Sequence, residues 1–181
     1  MRNATILMLA LFAPLAALEA DETFPAVSPD CKEVLPVPPG ESEYPLLVTK
    51  RMHLQSRFSV LQSKLYADPN KAPDSAHQDM EKLIKEVVEF QQQYLAFEDN
   101  RTVFWNNPGY WGKLWTRTGA GSVRYLVEKL VTQIAKVRGM QINGVAPFKR
   151  EDLNATQKML DGIREGLSID RDIGVAANVL K

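Results

Sequence analysis

The chain has 181 residues, 22 basic and 22 acidic side chains, and one cysteine. Zero net charge leaves no field of one sign to draw nucleic acid or an anionic membrane surface, both of which are reached through clustered Lys and Arg. A lone cysteine cannot close an internal disulfide, so the fold must be held by its hydrophobic core.

At the N-terminus one cation, Arg2, precedes an apolar run from Ile6 to Leu18 broken only by Pro14. The run is shorter than the roughly 20 residues of a transmembrane helix and suits the hydrophobic segment of a cleavable signal peptide. Residues 1–20 are therefore expected to be a signal peptide cut after Ala20, with Ala17 as the alternative site. The competing reading is an uncleaved anchor or a buried N-terminal helix. Cleavage removes Arg2 and Glu19 together and leaves the charge balance intact. The mature chain of about 160 residues has the size of one domain. Export combined with a disulfide-free core points to a bacterial periplasm, with the extracellular space as the alternative. Ser28, Pro29 and Asp30 precede Cys31 and do not form a lipid-attachment box. Cys31 is thus a candidate for an intermolecular disulfide, against the plainer reading of an unpaired thiol.

Residues 21–45 contain Pro25, Pro29, Pro36, Pro38, Pro39 and Pro45. Proline removes backbone donors and forbids helix interior, so this stretch is expected to be an extended arm or linker, with polyproline II character around Pro36, Pro38 and Pro39. Val34, Leu35 and Val37 would supply its apolar contacts. Residues 46–181 are then the helical bundle domain.

The first helix is expected from about Pro45 to Ala67, because Leu47, Leu54, Phe58, Leu61 and Leu65 share one face and Pro69, Asn70 and Pro73 follow. The second is the clearest: Met80, Leu83, Val87, Phe90, Tyr94 and Phe97 recur three and four apart, Ile84, Val88 and Leu95 widen the stripe, and Ser75 with Gln78 reads as a capping box. The third carries Val123, Val127, Leu130, Ile134 and Val137, broadened by Leu126 and Val131. Ser122 caps it, Lys136 and Arg138 suit its last turn, and Gly139 is expected to end it in the left-handed conformation. The fourth runs from about Glu151 to Glu165 with Leu153, Leu160 and Ile163 inward, weakened by Gly162, and the tail from Ser168 adds a short turn. The fold class is all-α: an antiparallel bundle of about four helices, with a proline-rich N-terminal arm and a long aromatic loop between helices two and three.

That loop, Glu98 to Gly121, holds all three tryptophans. A connection this long inside a bundle is usually functional, and amphipathic rings are what binding surfaces use. Phe104, Trp105, Asn107, Tyr110, Trp111, Trp115 and Arg117 are the candidate ligand- or partner-binding residues. The same rings have a structural alternative, in which Phe104, Trp105, Trp111 and Trp115 fold back as a lid over the open end of the bundle.

Other chemistry is thinner. Glu98 and Asp99 suggest a glycan-cleaving acid pair, but neighbours on a helix diverge by about 100°, whereas such carboxyls must flank one bond. The plainer reading is a solvated helix end. Gly119, Ala120, Gly121 and Ser122, with Arg117 and Arg124 nearby, could hold an anion, yet no phosphate-loop ending is present and helix capping accounts for them. His53 and His77 lack zinc spacing, and Met52 and Met80 read as core filler, so no metal, haem or other cofactor is assigned. No catalytic residue is assigned either. Two Asn-X-Thr sequons, at Asn100 and Asn154, would matter only in a eukaryotic source. The expected function is an exported, non-catalytic bundle that binds a partner protein or cell-envelope component through the aromatic loop. One alternative is a small-ligand or glycan binder stacking on Trp105, Trp111 and Trp115. The other is a cell-wall glycan hydrolase using Glu98 or Asp99.

Overall fold

Four helices follow the apolar stripes: α1 (Tyr44–Ala67), α2 (Asp74–Trp105), α3 (Gly121–Gly139) and α4 (Arg150–Ala176). The computed structural model describes residues 38–67, 74–107, 109, 121–143 and 149–177, and among these there is no strand. The expected signal segment, Cys31 and most of the expected arm lie outside the described residues. No helix of the described residues is long and apolar enough to cross a membrane.

Side-chain pairs fix the helix directions. Arg57 meets Glu86 and Lys50 meets Gln93, so α1 and α2 run in opposite directions. Tyr44 bonds the Leu167 carbonyl and Gln55 bonds Gln157, so α1 also opposes α4. It follows that α2 and α4 are parallel, and that the start of α1 lies at the same end as the last turns of α2 and α4.

The expected stripes form the core. Leu47, Leu54, Phe58 and Leu65 of α1 are buried, as are all six stripe residues of α2 from Met80 to Phe97, and the five of α3 from Val123 to Val137. Pro45 falls in the first turn of α1, where its missing N–H is one of those without an intrahelical partner anyway. Lys149 donates its N–H to the Asp152 carboxylate at the start of α4 (2.8 Å), half of a capping box.

Several expectations are corrected. Helix α2 does not end at Glu98 but continues to Trp105, because Glu98, Arg101 and Trp105 keep the three-and-four spacing after the apolar residues stop. It begins at Asp74, which places Ser75 within its first turn rather than at the cap. Helix α4 runs unbroken to Ala176, since Leu167, Asp170 and Ile173 carry its buried face past Ser168. Gly139 is still helical, and the single left-handed glycine among the described residues is Gly40. Val131 is exposed and does not broaden the α3 face. Gly162, expected to weaken the last helix, lets it pack: a methyl there would lie 3.1 Å from Val137 Cγ2 and 3.3 Å from Met140 Cε. Beside it Gln133 donates to the Gly162 carbonyl (2.9 Å).

Residues 38–43 turn into α1. The Gly40 carbonyl accepts from the Glu43 and Tyr44 amides, at 2.9 and 3.0 Å. Gly40 has φ +76°, and a Cβ there would stand 2.8 Å from the Phe97 ring, so both conformation and space require glycine.

Candidate functional site

The interior face of α2 changes character along its length. Up to Tyr94 it is apolar apart from Gln91, which donates to the Val137 and Met140 carbonyls at the end of α3. From Tyr94 onward the same register carries Tyr94, Glu98, Arg101 and Trp105, spaced four, three and four, and all are buried. Asp170 faces them from α4, in register with Leu160, Ile163 and Leu167. Opposite charges have thus been placed at core positions of two parallel helices.

Arg101 is the hub. Its Nη2 lies 2.6 Å from Asp170 Oδ2, an ion pair without hydrogen-bond alignment. Its Nη1 donates to the Pro39 carbonyl at 3.0 Å and lies 3.7 Å from Glu41 Oε2. The guanidinium carbon stands 5.2 Å from the Phe97 ring centre and 5.7 Å from that of Trp105, within cation–π range. Trp105 in turn donates Nε1–H to Asp170 Oδ1 at 3.0 Å. Asp170 therefore has both oxygens engaged, while Arg101 ties segment 38–43, α2 and α4 together.

Glu98 is treated differently. It is 0% exposed, yet neither carboxyl oxygen has a hydrogen-bond partner. Burial pushes its carboxyl well above the ordinary glutamate range, the Asp170 charge adds to the shift, and Arg101 opposes it. One cation thus faces two interior carboxyls, and enclosure shifts Glu98 toward its neutral acid. The neighbouring phenols respond to the same surroundings. Burial, with Asp170 next, raises Tyr44 to about 12. Burial, with Glu98 next, raises Tyr94, whose hydroxyl also lacks a partner.

Of the residues picked from sequence, Trp105 lies wholly inside, on Asp170, with the half-buried Phe104 ring edge-on to it at 5.3 Å. Asn107 is exposed and its Oδ1 accepts from the Gly109 amide (2.9 Å). Tyr110, Trp111, Trp115 and Arg117, with the Gly119–Ser122 anion candidate, are not among the residues whose side chains are described. Glu98 and Asp99 part company. Only Asp99 is solvated as expected, and it lies within α2 rather than at its end: its side chain is 55% exposed and takes Arg138 Nη2 on both oxygens, at 2.6 and 2.8 Å. Met52 and His53 are exposed whereas Met80 is in the core, so they share no site. A groove of about 740 Å³ lies between α2 and residues 140–143, lined by Gln91, Leu95, Asp99, Arg138 and Ile142 among others; it does not reach the Glu98 carboxyl.

Arg101 and Asp170 are not among the residues expected from sequence, because charged side chains read as surface. The signal was present as a charge of each sign on the core register of two helices. In comparisons with known proteins, no family model matches the chain, and neither the curated proteins nor the solved structures yield a match.

Proposed function

We propose that the chain is an exported, non-catalytic helical bundle that binds a partner protein or cell-envelope component through the end of the bundle that carries the aromatic loop. The observation that supports this reading is the distribution of exposed apolar side chains. Val103 at 75% and Leu46 at 68% are the two most exposed large hydrophobics among the described residues, and both belong to that end, as does Val175 at 53%. Met52, Val60 and Tyr66 are exposed farther along α1, so it is the degree of exposure of Val103 and Leu46, beside the aromatic stretch, that favours this end as a contact surface. Phe104 and Asn107 border them, and Tyr110, Trp111, Trp115 and Arg117 follow directly in the chain. Trp105 acts from inside, anchoring the last turn of α2 to α4 through Asp170.

The other readings lose residues. A glycan binder could not stack a sugar on the buried Trp105 and would depend on Trp111 and Trp115. A hydrolase would need Glu98 and Asp99 to flank one substrate bond, but one is enclosed and the other is paired with Arg138 at the surface.

The test is tryptophan fluorescence of the mature protein and of its Trp111→Phe/Trp115→Phe variant, alone and with peptidoglycan fragments, simple sugars or envelope proteins. Trp105 supplies a blue component common to both proteins. The proposal expects a red component, lost in the variant, that shifts with envelope proteins and not with sugars, and a Val103→Glu change that abolishes the shift. A response to sugars alone would transfer the function to the glycan reading. Blue emission indifferent to every addition would leave the loop as a lid and remove the proposal.

A further inference from the structure

The enclosed polar cluster holds more carboxyls than its one cation can neutralise, and the way that cation is shared defines two states. Arg101 has three claims on it. Asp170 holds Nη2, the Pro39 carbonyl takes Nη1, and Glu41 lies just beyond hydrogen-bond distance of the same nitrogen. A fourth claimant, Glu98, sits three residues earlier on α2, a separation at which side chains of one helix meet directly. As a neutral acid Glu98 makes no demand on Arg101, and the buried charges balance as one guanidinium and one carboxylate. As an anion it would be a second enclosed negative charge without a donor. Leaving such a charge unpaired in the interior is among the costliest arrangements a fold can hold. The cheapest relief is for Arg101 to turn its Nε and Nη2, which have no hydrogen-bond partner, toward its helix neighbour, and because the guanidinium is a rigid plane that turn carries Nη1 off the neutral Pro39 carbonyl.

We propose that Glu98 and Arg101 form a proton-operated latch, in which a neutral Glu98 leaves Arg101 free to hold segment 38–43 on the bundle and an ionised Glu98 draws Arg101 away and releases that segment. The groups that bear on Glu98 are few. From α2 these are Tyr94, Asp99 and Arg101; from α4, Asp170; and from α1, Tyr44. Glu165 and Arg171 act on the two phenols, and Glu41 of the latched segment faces Arg101. None of the other carboxyls in this set is enclosed with both oxygens unpartnered, and the phenols are pushed upward, away from neutral pH. Glu98 is therefore the group of this set whose proton changes the charge of the interior as pH rises above the ordinary glutamate range. The released segment is continuous with the proline-rich stretch before it, so the latch sets whether that stretch is anchored at Pro39 or only from Tyr44 onward. This inference stands on the cluster geometry and is independent of what the aromatic end binds.

The experiment is a pH titration of the isotope-labelled full chain by NMR, following the Glu98 carboxyl carbon and the amides of Gly40, Glu41, Glu43 and Tyr44. The Glu98 carbon is expected to titrate above the ordinary glutamate range. The Gly40 and Tyr44 amides should move with the same midpoint, toward faster solvent exchange on the alkaline side. In Glu98→Gln, which stays neutral, the amides should keep their acid-side positions across the range. An ordinary Glu98 midpoint overturns the latch, as do amides that ignore the Glu98 titration or a Gln variant whose amides still titrate with the wild-type midpoint. The wild-type titration decides the matter even if the variant does not fold.

Discussion

Gly166 is the tightest point between α2 and α4, and Gly166→Ala gives the sharpest test of the packing described above. A methyl on residue 166 would lie 1.8 Å from the Tyr94 hydroxyl oxygen and 2.8 Å from the ring carbon bearing it. Carbon contacts are comfortable at about 3.5–4.0 Å, so the ring or the helix must retreat by well over an ångström. Overpacking on that scale costs about 1–3 kcal/mol. Replacing an interior helical glycine by alanine returns about 0.5–1 kcal/mol of propensity, so a net loss of about 2 kcal/mol is expected. Tyr94→Phe removes the offending oxygen. That hydroxyl is buried with no hydrogen-bond partner, so deleting it alone should be neutral or stabilising by about 1 kcal/mol. With phenylalanine at 94 only the ring-carbon contact remains, and the alanine should be tolerated with a loss nearer 1 kcal/mol. Urea unfolding of the four proteins, read by far-ultraviolet circular dichroism, closes the cycle with a favourable coupling of about 1 kcal/mol. If Gly166→Ala were neutral or stabilising, as at an exposed helical glycine, or if the two changes simply added, the close approach of Tyr94 to α4 would be wrong.

Removing the hub should be far more damaging than removing a surface pair. Arg101→Met strands Asp170 in the interior with Trp105 as its remaining donor and should cost about 3–5 kcal/mol in urea unfolding, with part recovered in Arg101→Met/Asp170→Asn because no buried charge is then left. Asp99→Ala, one residue from Glu98, breaks only an exposed pair with Arg138 and should cost at most about 1 kcal/mol. The pH dependence of stability has opposing arms. The folded state holds the Glu98 proton more tightly than the unfolded chain does, so its contribution is full below the ordinary glutamate range and is lost as pH rises through the elevated value. Thermal unfolding across pH should therefore show a decline toward alkaline pH that is absent in Glu98→Gln. Glu86 works in the other direction: the Arg57 hydrogen bond holds its carboxyl below the usual range, so its contribution is present above that range and fades on acidification. Arg57→Ala should flatten the acid arm alone, and only slightly, because the pair is largely exposed.

The parts legible in sequence are those where burial and hydrophobicity coincide. Leu47, Leu54 and Phe58, or Val123, Val127 and Leu130, are apolar because they face other helices, so spacing alone places them. At Glu98 and at Ser168 the two properties separate: the register stays inward while the residues become charged or polar. Glu98, Arg101 and Asp170 look like solvent residues to any scale that equates charge with surface, and Gly162 and Gly166 look like helix breakers to any scale of intrinsic propensity. Only the partner makes sense of each, and the partner is remote in sequence: Asp170 for Arg101, Val137 for Gly162, Tyr94 for Gly166.

The same reasoning explains why the polar cluster is concentrated at one end. A core of Met80, Leu83, Val87 and Phe90 against leucines and isoleucines secures the far part of the bundle chiefly by burial, and apolar packing of that kind is indifferent to pH. The end where α1 begins and α2 and α4 finish is assembled instead from Arg101, Asp170, Trp105 and the Pro39 carbonyl, interactions that depend on geometry and on the charge of one neighbouring acid. Enclosed ion pairs contribute little net stability over apolar packing of the same volume, but breaking one leaves an uncompensated charge inside. A bundle built this way can keep its apolar part folded while its polar end changes state. That end also carries Val103, Leu46 and the start of the tryptophan loop, so the proposed binding surface and the proposed latch share one end of the bundle.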